Sequence, residues 1–148
     1  MKRLQTLAAI ALFSLLPVVG SAAEDLPELP LVAADVADLK QFLWTKRPIV
    51  VFADSAADPR FIEQMTFLEA DAAALVARDV VVIADTDPAA KSGLRAELRP
   101  RGFGLVLIDK DGEVKLRKPA PWSVREITRS IDKWPTRQQE IRVELGKE

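Results

Sequence analysis

The fold of this chain is decided by residues 49–53, which read Ile-Val-Val-Phe-Ala. The run is apolar and largely β-branched without alternation, so both of its faces should be buried, as in a central strand of a covered sheet. Residues 54–57 (Asp-Ser-Ala-Ala) form a loop, after which Asp58 can cap a helix and Pro59 can occupy its first position. Apolar residues then recur at helical spacing to about Arg78, and the sequence predicts a strand–loop–helix unit.

Two further buried strands follow this unit along the chain. Residues 80–84 (Val-Val-Val-Ile-Ala) and 105–108 (Leu-Val-Leu-Ile) are apolar runs of the same kind, and a weaker helix at residues 89–98 separates them. Residues 111–112 (Asp-Gly) are a strong signal for a two-residue hairpin, so residues 113–117 should return as an antiparallel strand. Because strands joined by helices imply right-handed parallel crossovers, the sequence predicts a mixed sheet with helices on both faces.

The two ends of the domain carry helix and loop signals. We predict an extended lead-in at residues 24–38 and a single domain at residues 39–148, with a short helix over residues 35–46 that Asp35 caps. Residues 123–126 (Ser-Val-Arg-Glu) form a capping box, and the helix that it starts should end at Trp134-Pro135. Three tryptophans are predicted to lie in the core or beside helices: Trp44, Trp122 and Trp134.

The first 23 residues have the composition of a secretory signal peptide. Met1-Lys2-Arg3 is a short positive start, residues 4–19 are mostly apolar, and residues 20–23 are small. The apolar run is shorter than the roughly 20 residues that span a bilayer, and Pro17 interrupts it. We therefore predict cleavage near Ala23, a periplasmic or secreted location, and a soluble mature protein without membrane contact.

The composition of the chain excludes several kinds of chemistry. It contains no cysteine, no histidine and no tyrosine, so disulfide chemistry, histidine-based triads and ordinary zinc sites are excluded. Loss of Lys2 and Arg3 with the signal peptide leaves 19 of the 21 basic residues against 22 acidic ones, a net charge of −3. No basic stripe is interleaved with aromatic residues, so nucleic acid is not an expected partner. No residue pattern indicates a cofactor or a metal ion.

The order of elements, βαβ followed by a hairpin and a helix, resembles the thioredoxin fold. Residues 101–114 (Arg-Gly-Phe-Gly-Leu-Val-Leu-Ile-Asp-Lys-Asp-Gly-Glu-Val) resemble the arginine-plus-hairpin segment of peroxiredoxins. Other stretches resemble an uncharacterised bacterial family of thioredoxin-like domains of unknown function, which is shared with vertebrate equarin and sushi-repeat matrix proteins: residues 47–53, 58–60, 78–83 and 131–140. The resemblance covers roughly residues 38–142. It implies a thioredoxin-like three-layer α/β sandwich whose mixed sheet ends in a C-terminal β-hairpin.

The resemblance also shows what this chain lacks. Active thioredoxins and peroxiredoxins place their reactive cysteine in the loop after the first long strand, where the N-terminus of the next helix stabilises a thiolate. The matching residues 54–60, Asp-Ser-Ala-Ala-Asp-Pro-Arg, contain no thiol. Serine does not replace it, because its hydroxyl is far less acidic and no histidine is present to activate it. Self-contained peroxidase and disulfide-exchange activities are therefore excluded.

Three segments should meet where the strands end: residues 54–60, 85–87 and 99–101. In open α/β sheets this rim is where ligands bind. Asp54 is expected to pair with Arg60 or Arg101, or to share a cation with an aspartate of the second segment. The resemblance matches Arg101 to a substrate-orienting arginine, which here either holds an anion or forms a structural ion pair with Asp54 or Asp85. The candidate binding residues are Asp54, Ser55, Arg60, Asp85 and Arg101.

Three functions fit these observations. The leading one is a non-catalytic, exported thioredoxin-like domain that binds a periplasmic or extracellular protein, because the fold is kept and the thiol is lost. The second is a small-molecule or anion-binding protein that uses Arg60 and Arg101 at the same rim, and the third is an enzyme with Asp54 and Asp85 as a general acid/base pair. An exposed apolar patch would favour the protein-binding domain. A concave pocket with converging polar groups would favour the small-molecule or anion-binding protein, and a carboxylate of raised pKa in that pocket would favour the enzyme.

Overall fold

The computed structural model of the protein describes residues 27–35 and 37–146. The predicted signal peptide at residues 1–23 lies outside the described residues, as do Val36 and residues 147–148. Among the described residues, no helix is both long enough and apolar enough to cross a membrane.

A mixed five-stranded sheet runs through the middle of the described chain. Its strands are β1 (Leu31–Ala33), β2 (Arg47–Phe52), β3 (Val80–Asp85), β4 (Gly104–Ile108) and β5 (Val114–Lys118). They lie side by side in the order β1-β3-β2-β4-β5. The first three are parallel, β4 is antiparallel to β2, and β5 is antiparallel to β4. The predicted mixed sheet, with parallel crossovers and an antiparallel hairpin at one edge, is confirmed.

Helices cover both faces of this sheet. They are α1 (Pro59–Ala70), α2 (Ala72–Val76), α3 (Gly93–Leu98), α4 (Val124–Ile131) and α5 (Pro135–Glu144), with two short 3-10 turns at Leu39–Phe42 and Pro88–Ala90. Every residue of β2 is buried, as its unbroken apolar sequence predicts. Ile49 and Val51 pack on the side of α1, α2 and α4, whereas Val50 and Phe52 pack on the side of α3. Two apolar cores therefore lie on either side of one sheet, which is the predicted three-layer sandwich.

The long helix predicted after Pro59 is divided in two. Asp71 adopts φ −141° and ends α1, and its carboxylate then accepts a hydrogen bond from the backbone N–H of Ala74 (3.4 Å), which starts α2. An aspartate competes for backbone N–H groups in this way, so it favours a cap over a helix interior. Leu68 and Leu75, on either side of the break, are both fully buried.

The segment before β2 differs most from its prediction. Within the predicted extended lead-in, Leu31–Ala33 form β1 and pair in parallel with β3. The helix predicted over residues 35–46 is only the 3-10 turn Leu39–Phe42, which Asp38 caps instead of Asp35. Leu39 and Phe42 of this turn are partly buried and pack against the core on the side of α3.

The three tryptophans have different environments. Trp134 is 8 % exposed and belongs to the core, and Trp122 packs against the same core. Trp44 was predicted to lie in the core or beside a helix, and that prediction is wrong, since the residue is 70 % exposed with φ 62°. Its backbone N–H donates to the carbonyl oxygen of Lys110 (2.7 Å), so the sharp turn into β2 directs the side chain outward.

The hairpin between β4 and β5 is longer than predicted. Residues 109–113 connect the two strands, and the register shifts between Leu107 and Ile108. The backbone N–H of Gly112 donates to the carbonyl oxygen of Asp109 (2.9 Å), and the glycine has φ 84°. The predicted two-residue turn is therefore wrong, since the backbone N–H of Asp109 also donates to the carbonyl oxygen of Glu113 (3.0 Å) and closes a longer loop. The carboxylate of Asp109 is buried and binds Arg47 (3.0 Å).

The third predicted helix begins later than expected. The 3-10 turn Pro88–Ala90 comes first, and α3 then starts at Gly93 with Ser92 as its N-cap. At the next helix, the capping box between Ser123 and Glu126 is confirmed. α4 ends at Ile131, three residues before Trp134 of the predicted break, and α5 begins at Pro135.

The buried Arg47 binds residues of α5 and so holds this helix against the end of the sheet where β2 begins. The guanidinium of Arg47 is 1 % exposed and donates to Asp109 (3.0 Å), to Thr136 (3.0 Å), and to both carboxylate oxygens of Glu140 (2.9 and 3.1 Å). Lys110 pairs with the same glutamate (2.8 Å). α5 itself contributes no buried residue. Its position therefore depends on this polar network.

Candidate functional site

The three rim segments meet at one end of the sheet, as predicted. Phe52, the last residue of β2, pairs with Asp85 at the end of β3 and with Gly104 at the start of β4. A Cβ atom at Gly102 would lie 3.9 Å from the Oδ2 atom of Asp54, which shows how closely the loop before β4 approaches the loop after β2. We call residues 54–60, 85–87 and 99–101 the strand-end rim.

The N-terminus of α1 is capped by the side chain of Asp58, the residue just before the helix. Asp58 accepts a hydrogen bond from the backbone N–H of Arg60 (2.9 Å), and Pro59 occupies the first helical position. The guanidinium of Arg60 folds back onto the same carboxylate (3.0 Å). This hydrogen bond lowers the pKa of Asp58 and raises the pKa of Arg60. The nearby charge of Asp54 also helps to raise the pKa of Arg60. The positive end of the helix is thus already occupied by a carboxylate.

Asp54 and Ser55 are both exposed in the loop between β2 and α1. The hydroxyl oxygen of Ser55 accepts a hydrogen bond from the backbone N–H of Ala57 (3.1 Å), which stabilises the turn. The ion pair predicted for Asp54 is not formed with Arg60 or Arg101 within the described part of the chain, because Arg60 binds Asp58 instead. Asp54 therefore presents its carboxylate at the rim surface.

Asp85 has a structural role beneath the rim. It is 3 % exposed, and its carboxylate binds the guanidinium of Arg95 (2.8 Å) and accepts a hydrogen bond from the hydroxyl of Ser92. Arg95 also donates to the carbonyl oxygen of Ala53 (2.7 Å) and lies over the ring of Phe52, 5.4 Å from its centre. Both carboxylate oxygens of Asp85 are engaged, so this residue is not free to form an acid/base pair with Asp54. Its structural ion pair is formed with Arg95, and not with the predicted partner, Arg101.

Sequence reasoning missed the role of Arg95. It lies ten residues after Asp85, inside the predicted helix, and nothing in the periodicity of that helix indicates where its side chain points. The ion pair depends on how α3 packs against the ends of β2 and β3, and this arrangement is decided by the tertiary structure.

A concave surface adjoins the rim on the side of β4 and β5. It has a volume of about 230 Å³, with apolar walls that include Phe103 and Pro119. Arg117 and Lys118 line it because β5 pairs with β4 in the register Val106 to Arg117 and Leu105 to Lys118. We call this surface the basic cleft, after its four cationic lining residues: Arg99, Arg101, Arg117 and Lys118.

A larger cavity of about 650 Å³ lies away from the rim, between the lead-in and the junction of α1 and α2. Its lining is mostly apolar, with Leu31 and Met65 among its residues, and it has no basic side chain. The charged residues of this cavity are all acidic: Glu28, Glu69 and Asp71. The candidate site is the rim with its cleft, because the cleft adjoins the strand ends, where ligands of open α/β sheets bind. No group of three or more acidic residues within the described ranges is placed to hold a metal ion.

The fold is that of the thioredoxin-like proteins. The reduced 2-Cys peroxiredoxin of Plasmodium vivax is similar over 71 % of this chain and 85 % of its own, with a TM-score of 0.57 and 17 % identity. Chloroplastic thioredoxin z is similar over 73 % of this chain and 95 % of its own, with a TM-score of 0.55 and 20 % identity. At these identities the likeness concerns the fold alone.

The chain belongs to the family described as a domain of unknown function, DUF4174, which matches residues 38–140. No curated protein matches the chain in sequence. The match covers nearly the extent predicted from the resemblance, residues 38–142. The residues that the resemblance aligns with a thiol-bearing loop lie between β2 and α1, and the chain has no cysteine there or elsewhere.

Proposed function

We propose that this protein is an exported, non-catalytic thioredoxin-like domain that binds a protein partner through its strand-end rim. The observation that carries the proposal is the β2–α1 loop, which is exposed from Asp54 to Ala57 and holds no thiol. The loop has kept its accessible place at the strand ends, where ligands of open α/β sheets bind, and has lost the group that does redox chemistry.

The remaining groups at the rim support binding rather than catalysis. The hydroxyl of Ser55 has no histidine to activate it, because the chain contains none. The carboxylate of Asp85 is buried in its ion pair with Arg95. The N-terminus of α1 is filled by Asp58, so it offers no free dipole to a reacting anion.

The size of the basic cleft favours a protein partner over a free small molecule. Sites that enclose a small ligand usually have volumes of about 300–1,000 Å³. The cleft, at about 230 Å³, is smaller and can enclose only part of a ligand. That part is held more tightly when it belongs to a larger partner, because the exposed β2–α1 loop can then contact the partner as well. Binding of a small free anion is the second candidate, favoured by the convergence of cationic side chains on the cleft.

Export is the second part of the proposal. It is supported by the composition of residues 1–23, and it implies a periplasmic or secreted protein after cleavage near Ala23. The proposal also includes the finer family resemblance, to bacterial domains shared with vertebrate equarin and sushi-repeat matrix proteins. The mass and the N-terminal sequence of the protein from a periplasmic fraction test this part, and a chain that retains Met1 in the cytoplasm contradicts it.

A photo-crosslinking amino acid at Ala56 tests the partner. Ala77 is the matched control, because it is also an exposed alanine and lies at the opposite end of the sheet, before β3. We expect a product of discrete mass from position 56 that is absent from position 77 and lost when Arg101→Glu is added. Equal products from both positions, or none from position 56, refute a protein partner at the rim.

A further inference from the structure

We propose that the basic cleft recognises an acidic segment of the partner, whose clustered carboxylates are held by Arg99, Arg101 and Arg117. This inference deepens the proposed function and rests on it, since it names the chemistry that the rim selects. It assigns a role to Arg117 of β5, whose charge otherwise marks only the outer edge of the sheet.

Four basic residues from separate parts of the chain line the cleft. Arg117 and Lys118 are successive residues of a strand, so their side chains leave opposite faces of the sheet, and the ammonium of Lys118 lies over Trp122. The three guanidinium groups therefore carry the charge of the cleft. Arg99 follows α3, Arg101 lies in the loop before β4, and Arg117 and Lys118 end β5. The lining of the cleft contains no acidic residue. Positive charge is thus concentrated at one surface of a chain whose overall net charge is −1, and of a mature chain whose charge would be −3. Such a patch attracts and orients an acidic partner.

None of the four cleft cations forms an ion pair with a carboxylate of residues 27–35 or 37–146. Elsewhere in the same ranges, arginines bind acidic side chains of the domain: Arg47, Arg60, Arg78, Arg95 and Arg137. Arg125, Arg129 and Arg142 also form no ion pair in these ranges, so the cleft differs from the rest of the surface in bringing three unpaired arginines to one concave lining.

The cleft cations are positioned by neutral contacts. One nitrogen of Arg117 donates to the carbonyl oxygen of Leu98 at the end of α3 (2.7 Å), which holds the guanidinium in place and leaves its other nitrogens available. The ammonium of Lys118 lies 4.3 Å from the centre of the Trp122 ring. Arg99 is held in a left-handed conformation, with φ 50°, and its backbone N–H caps α3. Orienting the guanidinium of Arg117 beforehand lowers the entropy that binding through this residue would otherwise cost.

The chemistry of the four groups selects oxyanions. A guanidinium presents its N–H donors in a planar fork that matches both oxygens of a carboxylate, and three of the four cations are arginines. The apolar walls at Phe103 and Pro119 exclude part of the solvent, which strengthens charge-assisted hydrogen bonds inside the cleft. Several carboxylates on one extended segment satisfy more of these donors than a single one does.

Titration with a peptide of six glutamates tests the inference, and the matching peptide of six glutamines is the control ligand. We expect the purified protein to bind the acidic peptide saturably, and the combined variant R101Q/R117Q to weaken this binding by at least about tenfold, as two lost charge-assisted contacts predict. Arg142→Gln is the matched variant, because it removes an exposed arginine from α5, at the other end of the sheet, and should change the dissociation constant by less than about twofold.

Free anions are the other arm of the same experiment. If phosphate or citrate binds the cleft more tightly than the acidic peptide and displaces it, the cleft is a site for small anions and the assignment to a protein segment is overturned. Absence of saturable binding by the peptide, or an equal loss in R101Q/R117Q and R142Q, also overturns it. Since Arg117 contacts Leu98, Arg101→Gln alone is tested in parallel, and it should weaken binding while the melting temperature stays unchanged.

The two proposals fail in different ways. If the crosslink from Ala56 is found but the acidic peptide does not bind, the partner is real and the inference about its chemistry is wrong. If the peptide binds through the cleft but no crosslink forms at the rim, the cleft is a carboxylate site and the proposed use of the β2–α1 loop is wrong.

Discussion

Replacing Glu140 with glutamine removes one carboxylate from the network that fastens α5 to the sheet. Burial by itself raises the pKa of Glu140, but hydrogen bonds from Arg47, Lys110 and Arg137 outweigh it and lower the pKa from 4.5 to about 2. A change of this size is equivalent to about 3 kcal/mol of stabilisation of the charged form. Because 24 % of the side chain is exposed, solvent screens part of it, and we expect Glu140→Gln to lower the free energy of unfolding by about 2 kcal/mol at neutral pH.

The pH dependence of this loss identifies its origin. A carboxylate whose pKa is lower in the folded state stabilises the fold fully above its unfolded pKa, here 4.5, and loses that effect as the pH falls towards about 2. The difference between the wild type and Glu140→Gln should therefore be largest near neutral pH and shrink by about half between pH 5 and about pH 3.

Urea unfolding, followed by tryptophan fluorescence over this pH range, measures the difference. Glu144→Gln is the matched control, since Glu144 also pairs with Arg137 (3.3 Å) but is 63 % exposed, and its loss should cost less than about 0.5 kcal/mol. Equal effects of the two variants, or a difference for Glu140→Gln that does not change with pH, would refute the idea that this ion network holds α5.

Three further predictions use the same unfolding assay. Asp85→Asn should destabilise the fold by about 3–5 kcal/mol, because it leaves the buried charge of Arg95 without a partner. Asp54→Asn, at the exposed rim, should change the free energy of unfolding by less than about 0.5 kcal/mol, and similar values for both variants would contradict the structural role of Asp85. Gly112→Ala should cost about 1–2 kcal/mol, since φ is 84° and the new Cβ would lie 2.9 Å from a leucine side chain, while Gly93→Ala meets no atom within 4 Å and should be neutral or slightly stabilising. Ser123→Ala should cost about 1 kcal/mol through loss of the capping box, and an unchanged unfolding midpoint would show that this cap does not stabilise α4.

The candidate site could be predicted in outline and not in its contacts. The rim follows from the sequence, because buried strands that alternate with helices must bring their ends together. The partners of its charged residues do not follow. Asp54 was expected to bind an arginine and lies exposed, and Asp85 was expected at an accessible site and is buried beneath α3. Each outcome depends on the orientation of a helix that packs from a distant part of the chain.

The exposed Trp44 is a second feature that could not be predicted from the sequence. A tryptophan next to a predicted amphipathic helix is normally assigned to the core, since its large apolar surface gains most from burial. The 3-10 turn before it ends two residues earlier, and a backbone hydrogen bond to Lys110 fixes the left-handed turn that points the ring outward. That hydrogen bond joins residues far apart in the sequence.

By itself, the sequence determined the features that depend on composition and on neighbours a few positions apart. The absence of cysteine and histidine removes redox and imidazole chemistry, the unbroken apolar runs give buried strands, and the caps at Asp58 and Ser123 start their helices. Only the tertiary structure decided which charges meet. The pairing of Arg47 with Glu140 spans 93 residues, and the basic cleft needs the register between β4 and β5. Local propensity acts over one or two helical turns, whereas an ion pair depends on the placement of whole elements, and that placement is fixed by the packing of both cores.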